Sequence, residues 1–168
     1  MKTAWRPDSR ADRPAPKLTP VHNAPMTWDL QRFVDAQRDV IDGALRELRA
    51  GRKTGHWIWF VFPQVAGLGH SELSRYYAIS SWGEGRGYLD HPILGPRLRA
   101  SAEAMLSVRG RSAEQILGPV DAAKLRSSMT LFLRVAPDEP LFREVLDRYY
   151  DGIPDPRTDE LLGHPAPD

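Results

Sequence analysis

The chain has 168 residues, with 23 Lys and Arg against 22 Asp and Glu, no cysteine, and 41% hydrophobic and 9% aromatic residues. That length admits one hydrophobic core, since domains of about 100 to 150 residues are the commonest size. The missing thiols exclude a disulfide scaffold and a thiolate metal site, and the five His offer no His-x-x-x-His or His-Glu-x-x-His spacing for a zinc pair. Neither a metal nor a cofactor is therefore expected.

Proline marks the boundaries of the folded body. Nine of the 15 prolines fall near the two ends, which predicts a disordered basic arm over residues 1–26, an α-helical domain over 27–162 and a disordered tail over 163–168. Lys2, Arg6, Arg10, Arg13 and Lys17 give the arm its charge, against Asp8 and Asp12. A translation start at Met26 would account for such an extension. The rest of the chain is close to neutral and lacks the field that non-specific nucleic-acid binding draws upon, which leaves weak contact through the arm as a third-ranked reading. The longest apolar stretch, Trp57 to Pro63, is far short of the roughly 20 residues that span a bilayer, and the N-terminus has no signal-peptide run. A cytoplasmic protein with no membrane partner is expected.

Within the body, Leu30, Phe33, Val34, Val40, Ile41, Ala44, Leu45 and Leu48 recur every three to four residues, predicting one helix from Asp29 to Arg49, capped by Thr27 or Asp29 and ended by Gly51. The segment Gly55 to Gln64 is apolar on nearly every side and has no second strand to pair with, so it reads as a short buried helix ending before Pro63. Val65 to His70 is a loop, Ser71 caps a helix to about Ser81, and Trp82 to Leu89 is a turn loosened by Gly83, Gly85 and Gly87. Further helical segments follow at Pro92 to Val108, Ser112 to Leu117, Asp121 to Val135 with Asp121 as its cap, and Pro140 to Asp151. The tail after Tyr150 folds back over the core. The expectation is an all-α single domain of about seven helices.

No established catalytic fingerprint is present: no Gly-x-Gly-x-x-Gly after a strand, no phosphate loop and no Gly-x-Ser-x-Gly elbow. Two clusters carry the candidate chemistry. In the first, Trp59, Gln64 and Ser71 set an aromatic surface beside sparse polar groups, the usual lining of a small-molecule pocket. His56 stands next to it with an ordinary pKa near 6.5, suited to moving a proton, although a lone His is more often structural. In the second, Lys124 and Ser128 share a face with Asp121 on a helix, and Lys124 with Ser127 or Ser128 would hold an anionic group. Glu84 and Asp121 are the carboxylates best placed in sequence to face such a pocket.

Together these segments make the chain similar to the bacterial domain of unknown function 1810 family. The resemblance rests on Asp29-Leu-Gln-Arg-Phe-Val-Asp-Ala-Gln37, His56-Trp-Ile-Trp-Phe-Val-Phe-Pro-Gln64, Gly67-Leu-Gly-His-Ser71, Tyr88-Leu-Asp-His-Pro-Ile-Leu-Gly-Pro-Arg-Leu98, Lys124-Leu-Arg-Ser-Ser-Met-Thr-Leu-Phe132 and Tyr150-Asp-Gly152. It implies a small, mostly helical protein over about residues 28 to 162 and no settled activity. Where relatives commonly read Leu-Asp-Glu-Ala, this chain has Trp82-Gly-Glu-Gly, which keeps the carboxylate and weakens the local helix. The leading expectation is a pocket in which Trp59 stacks, Gln64 and Ser71 orient, and Lys124 and Ser128 hold a small anionic or nucleotide-like ligand. His56 or Glu84 would then serve hydrolysis or transfer of part of it. The alternative is a non-catalytic protein-interaction module in which the same residues merely pack.

Overall fold

A computed structural model describes residues 28–163; the arm over residues 1–26, and the tail beyond residue 163, lie outside the described residues. The described chain is all-α, with ten helices: α1 (Gln31–Gln37), α2 (Ile41–Arg49), α3 (Ile58–Val61), α4 (Glu72–Tyr76), α5 (Trp82–Asp90), α6 (Leu94–Ser107), α7 (Ala113–Leu117), α8 (Pro119–Val135), α9 (Pro140–Tyr150) and α10 (Pro156–Leu162). A lone parallel bridge between Val65 and Ile79 lies outside them. None of the described helices is long and apolar enough to cross a membrane.

Three differences turn the seven expected helices into ten. The first predicted helix breaks after Gln37, although residues 38–40 contain neither Pro nor Gly. Its two halves answer to different neighbours, α1 packing on α3 and α2 on α6. At the break the Gln37 amide turns into the core, donating to the Phe60 carbonyl at 2.6 Å and to Tyr88 Oη at 2.9 Å. The cap position of α1 is held by Leu30, which has no capping side chain, rather than by Asp29, and Thr27 lies outside the described residues.

The expected turn from Trp82 to Leu89 is instead α5, capped by Ser81, whose hydroxyl accepts from the Glu84 amide. Two of its three glycines, Gly83 and Gly85, are needed for packing. A Cβ at Gly83 would lie 2.7 Å from the Trp28 ring, and one at Gly85 would lie 2.9 Å from Val135 Cγ2. Close approach by an indole and by α8 outweighs the roughly 1 kcal/mol that each glycine costs a helix. The third addition is α10, formed where the tail was expected to fold back.

The long helix α8 is the axis of the fold, touching α3, α5, α7, α9 and α10. It begins at Pro119 after Gly118, which has φ of +85°, so Asp121 sits in the first turn rather than at the cap. Four buried rings run through the core: Phe33 to Tyr88 at 5.0 Å edge-on, Tyr88 to Phe132 at 5.5 Å and Phe132 to Phe142 at 5.8 Å. They join α1, α5, α8 and α9 in one apolar contact. The tail is fastened by Asp159, 3% exposed, which accepts two hydrogen bonds from Arg134 of α8 at 2.8 and 2.9 Å.

Candidate functional site

An open cleft of about 450 Å³ lies along the first two turns of α8. Lys124, Ser127 and Arg126 come from α8, Gln64 and Leu68 from the loop after α3, Tyr150 from the end of α9, and Asp155 and Arg157 from the start of α10. Residues far apart in sequence therefore build it, and each wall is fixed by bonds that can be traced.

The first wall depends on the loop before α3. Glu47 Oε1 accepts from the Thr54 amide at 2.5 Å, the Thr54 hydroxyl at 2.9 Å and the Gly55 amide at 2.6 Å, while Oε2 accepts from Trp57 Nε1 at 3.3 Å. Burial pushes this carboxyl upward, but the donated hydrogen bonds outweigh it and hold Glu47 below the usual glutamate range. The clasp places Lys53, whose ammonium lies 2.7 Å from Asp121 Oδ2 and 5.0 Å above the Trp57 ring. Beyond α3, the bridge fixes the backbone at Gln64, whose carbonyl accepts from the Ile79 amide at 2.8 Å. Its side chain stays half-buried on the cleft.

Lys124 stands where this wall meets α8. Its ammonium lies 4.8 Å from the centre of the Trp59 ring and 3.6 Å from Asp121 Oδ1, with the side chain 20% exposed. Lys53 makes the shorter contact with the same carboxylate. Two ammonium groups thus share the Asp121 carboxylate in a partly buried seam, where charges are screened less than at the surface.

The far wall is the tail segment stitched to α8. Arg126 donates to the Ile153 carbonyl at 2.9 Å and the Pro154 carbonyl at 3.0 Å, and Thr130 Oγ1 accepts from the Asp155 amide at 2.8 Å. Asp155 Oδ2 caps α10, accepting from the Thr158 amide at 3.0 Å and its hydroxyl at 2.5 Å, and lies 3.1 Å from Ser127 Oγ. Tyr150 donates to the Ala122 carbonyl at 2.5 Å. Burial, with Glu114 adding to it, pushes this phenol well above its ordinary value, so it remains a neutral hydroxyl.

The structure brings together some of the residues singled out in the sequence and separates others. Gln64 and Lys124 share the cleft, and Trp59 lies beneath Lys124. Ser128 is fully buried one turn further along α8, while its neighbour Ser127 lines the cleft. Ser71 is exposed at the start of α4, which it caps by accepting from the Ser74 amide at 3.1 Å. His56 is exposed ahead of α3 and is not part of the cleft lining. Glu84 is 3% exposed and engaged on both oxygens, by Arg32 at 3.0 Å and by the Ser80 amide and hydroxyl at 2.8 and 3.0 Å. It holds α5 to α1 and to the loop before it.

Asp155 and Arg157 belong to the cleft and escaped notice in the sequence. The available signal was Asp155-Pro-x-Thr158, a helix-start pattern that marks α10 but says nothing of where α10 docks. Among the described residues, no group of three or more His, Asp or Glu is placed to hold a metal ion.

No protein with a curated description matches the chain. The crystal structure of the conserved hypothetical protein Rv1873 from Mycobacterium tuberculosis is similar to it at 51% identity and a TM-score of 0.79, over 82% of this chain and 98% of that one. The family described as protein of unknown function (DUF1810) matches residues 27–162, nearly the whole described fold, and the chain belongs to that family.

Proposed function

We propose that the cleft beside α8 binds a small anionic or nucleotide-like ligand, with Lys124 as the residue that meets its negative group. The observation that carries this reading is the meeting of Gln64 and Lys124 on one solvent-open cleft of about 450 Å³, a size suited to a small metabolite. Lys124, Arg126 and Arg157 outnumber Glu114 and Asp155 on its lining. Leu68 and the exposed Val120 offer an apolar face for a ring, while Gln64 can both donate and accept at its edge.

Binding is the whole of this reading. The two groups expected to move protons, His56 and Glu84, stand outside the cleft, and Asp155 is occupied in capping α10. A thermal-shift screen of nucleoside phosphates, sugar phosphates and small dicarboxylates tests it. A compound at about 100 times its Kd stabilises a folded protein by about 2.7 kcal/mol, which raises Tm by several degrees. At least one anionic compound is expected to do so saturably for the native chain and not for Lys124→Ala. Equal responses from both proteins, or none from any compound, would refute the proposal.

A further inference from the structure

Three buried side-chain polar atoms have no hydrogen-bond partner among the described residues, and two of them belong to neighbours of Lys124: Trp59 Nε1 to the ring its ammonium lies over, and Ser128 Oγ to the residue one turn on along α8. Burial without a partner is rare, because it forfeits the hydrogen bonds that water would make. The third, Glu139 Oε2, belongs to a carboxylate already paired with Arg99 at 2.8 Å elsewhere in the fold.

Ser128 is unusual within its own molecule. Ser101, Ser127 and Thr130 each lie within 2.8 to 3.1 Å of the carbonyl four residues back in their helices, the ordinary refuge of a helical hydroxyl. Ser128 has the same option at the Lys124 carbonyl and does not take it. Its face of α8 also carries Asp121, which meets Lys53, and Lys124, which lies over Trp59. The helix that carries the unpartnered indole, α3, packs on α8.

We infer that Lys124 Nζ, Trp59 Nε1 and Ser128 Oγ form one receptor for an oxyanion, a phosphate or carboxylate group, set behind the open cleft and covered by the Lys124 side chain. This rests on the proposed function and specifies the group recognised. An indole N–H and an ammonium can only donate, and a serine hydroxyl left free by its own helix can donate as well. A partner that only accepts, carries negative charge and has several lone pairs satisfies all three. Asp121 lies nearer Lys53, at 2.7 Å, than Lys124, at 3.6 Å, which leaves the Lys124 ammonium the less neutralised of the two and favours the same partner. Lys124 both lines the cleft and lies over the indole, so rotation of its flexible stem opens the way to the two atoms behind it.

Indole N–H signals in 15N-correlated spectra test the inference, with the Trp59 signal assigned through Trp59→Phe and inorganic phosphate and acetate as separate probes. One of the two anions is expected to move the Trp59 Nε1–H signal saturably and so to identify the oxyanion chemistry. Its affinity, read from the Gln64 side-chain amide, is expected to fall about tenfold or more in both Ser128→Ala and Trp59→Phe, the size of a lost hydrogen bond to a charged group. Ser128→Ala is expected to fold with an unchanged or higher Tm, since it removes a hydroxyl that has no partner. A Gln64 response with a silent Trp59 signal and undiminished affinity in Ser128→Ala overturns the receptor and leaves the cleft reading standing. No response to either anion at any site overturns both. A marked fall in Tm on Ser128→Ala assigns that hydroxyl a structural bond and also overturns the receptor.

Discussion

Glu47 shows how much of the candidate site depends on a residue that never touches the cleft. Its carboxylate gathers two amides, a hydroxyl and an indole N–H, and through them sets the path from Lys53 to Trp57. Nothing in the sequence separates Glu47 from other glutamates on an amphipathic helix, because its value lies in a loop that folds back onto it. Lys124 was more legible, since its spacing from Asp121 could be read directly. The sharing of that carboxylate with Lys53 could not. Because the folded pKa of Glu47 lies below its unfolded value of about 4.5, its contribution is complete above that pH and disappears as pH falls through the lower folded value. Glu47→Gln is expected to cost about 1 to 2 kcal/mol at pH 7, as for hydrogen bonds to a partly exposed charge. In urea titrations the gap from the native chain should narrow below about pH 4. A gap that stays constant from pH 7 to pH 3 would assign the loss to packing instead.

At the scale of elements, hydrophobic periodicity located most of the helices, and two of its three failures share one cause. The break after Gln37 and the glycine-bearing helix α5 are both set by tertiary neighbours: a buried amide drawn to Phe60 and Tyr88 in the first case, the Trp28 ring and Val135 in the second. Local propensity is silent on such contacts. Gly95, in the first turn of α6, makes the conflict measurable. Helix propensity alone would have Gly95→Ala stabilise by about 1 kcal/mol. The added Cβ would, however, collide with the Leu89 backbone carbonyl, which cannot swing aside as a flexible side chain can. Gly95→Ala is therefore expected to destabilise by about 2 kcal/mol or more, in the range of overpacked sites. Thermal unfolding decides, and a raised Tm would contradict the packing described for α5 and α6.

For the whole molecule, the decisive feature is that the tail becomes a wall of the cleft. The residues after Tyr150 read as a polar, Pro-bearing segment, and the sequence shows only that they fold back. Where they dock depends on Arg126, Ser127, Thr130 and Arg134, spaced along one side of α8 and each bonded to the tail. That pattern emerges only once α8 is seen as the axis of the fold. Asp159→Ala leaves Arg134 unpaired at 13% exposure and is expected to cost about 3 kcal/mol, near the lower end for a broken buried pair. The matching fall in Tm is roughly 10 °C, and a change under about 2 °C would show that the tail is held by other contacts. The same dependence ties stability to binding, since loosening α10 moves Asp155 and Arg157 on the cleft. The most direct test of the site is native mass spectrometry of the chain and of Lys124→Ala, purified side by side. The native protein is expected to retain an anionic small molecule that the variant has lost while keeping its fold, and the same adduct at the same occupancy in both would contradict the assignment of Lys124.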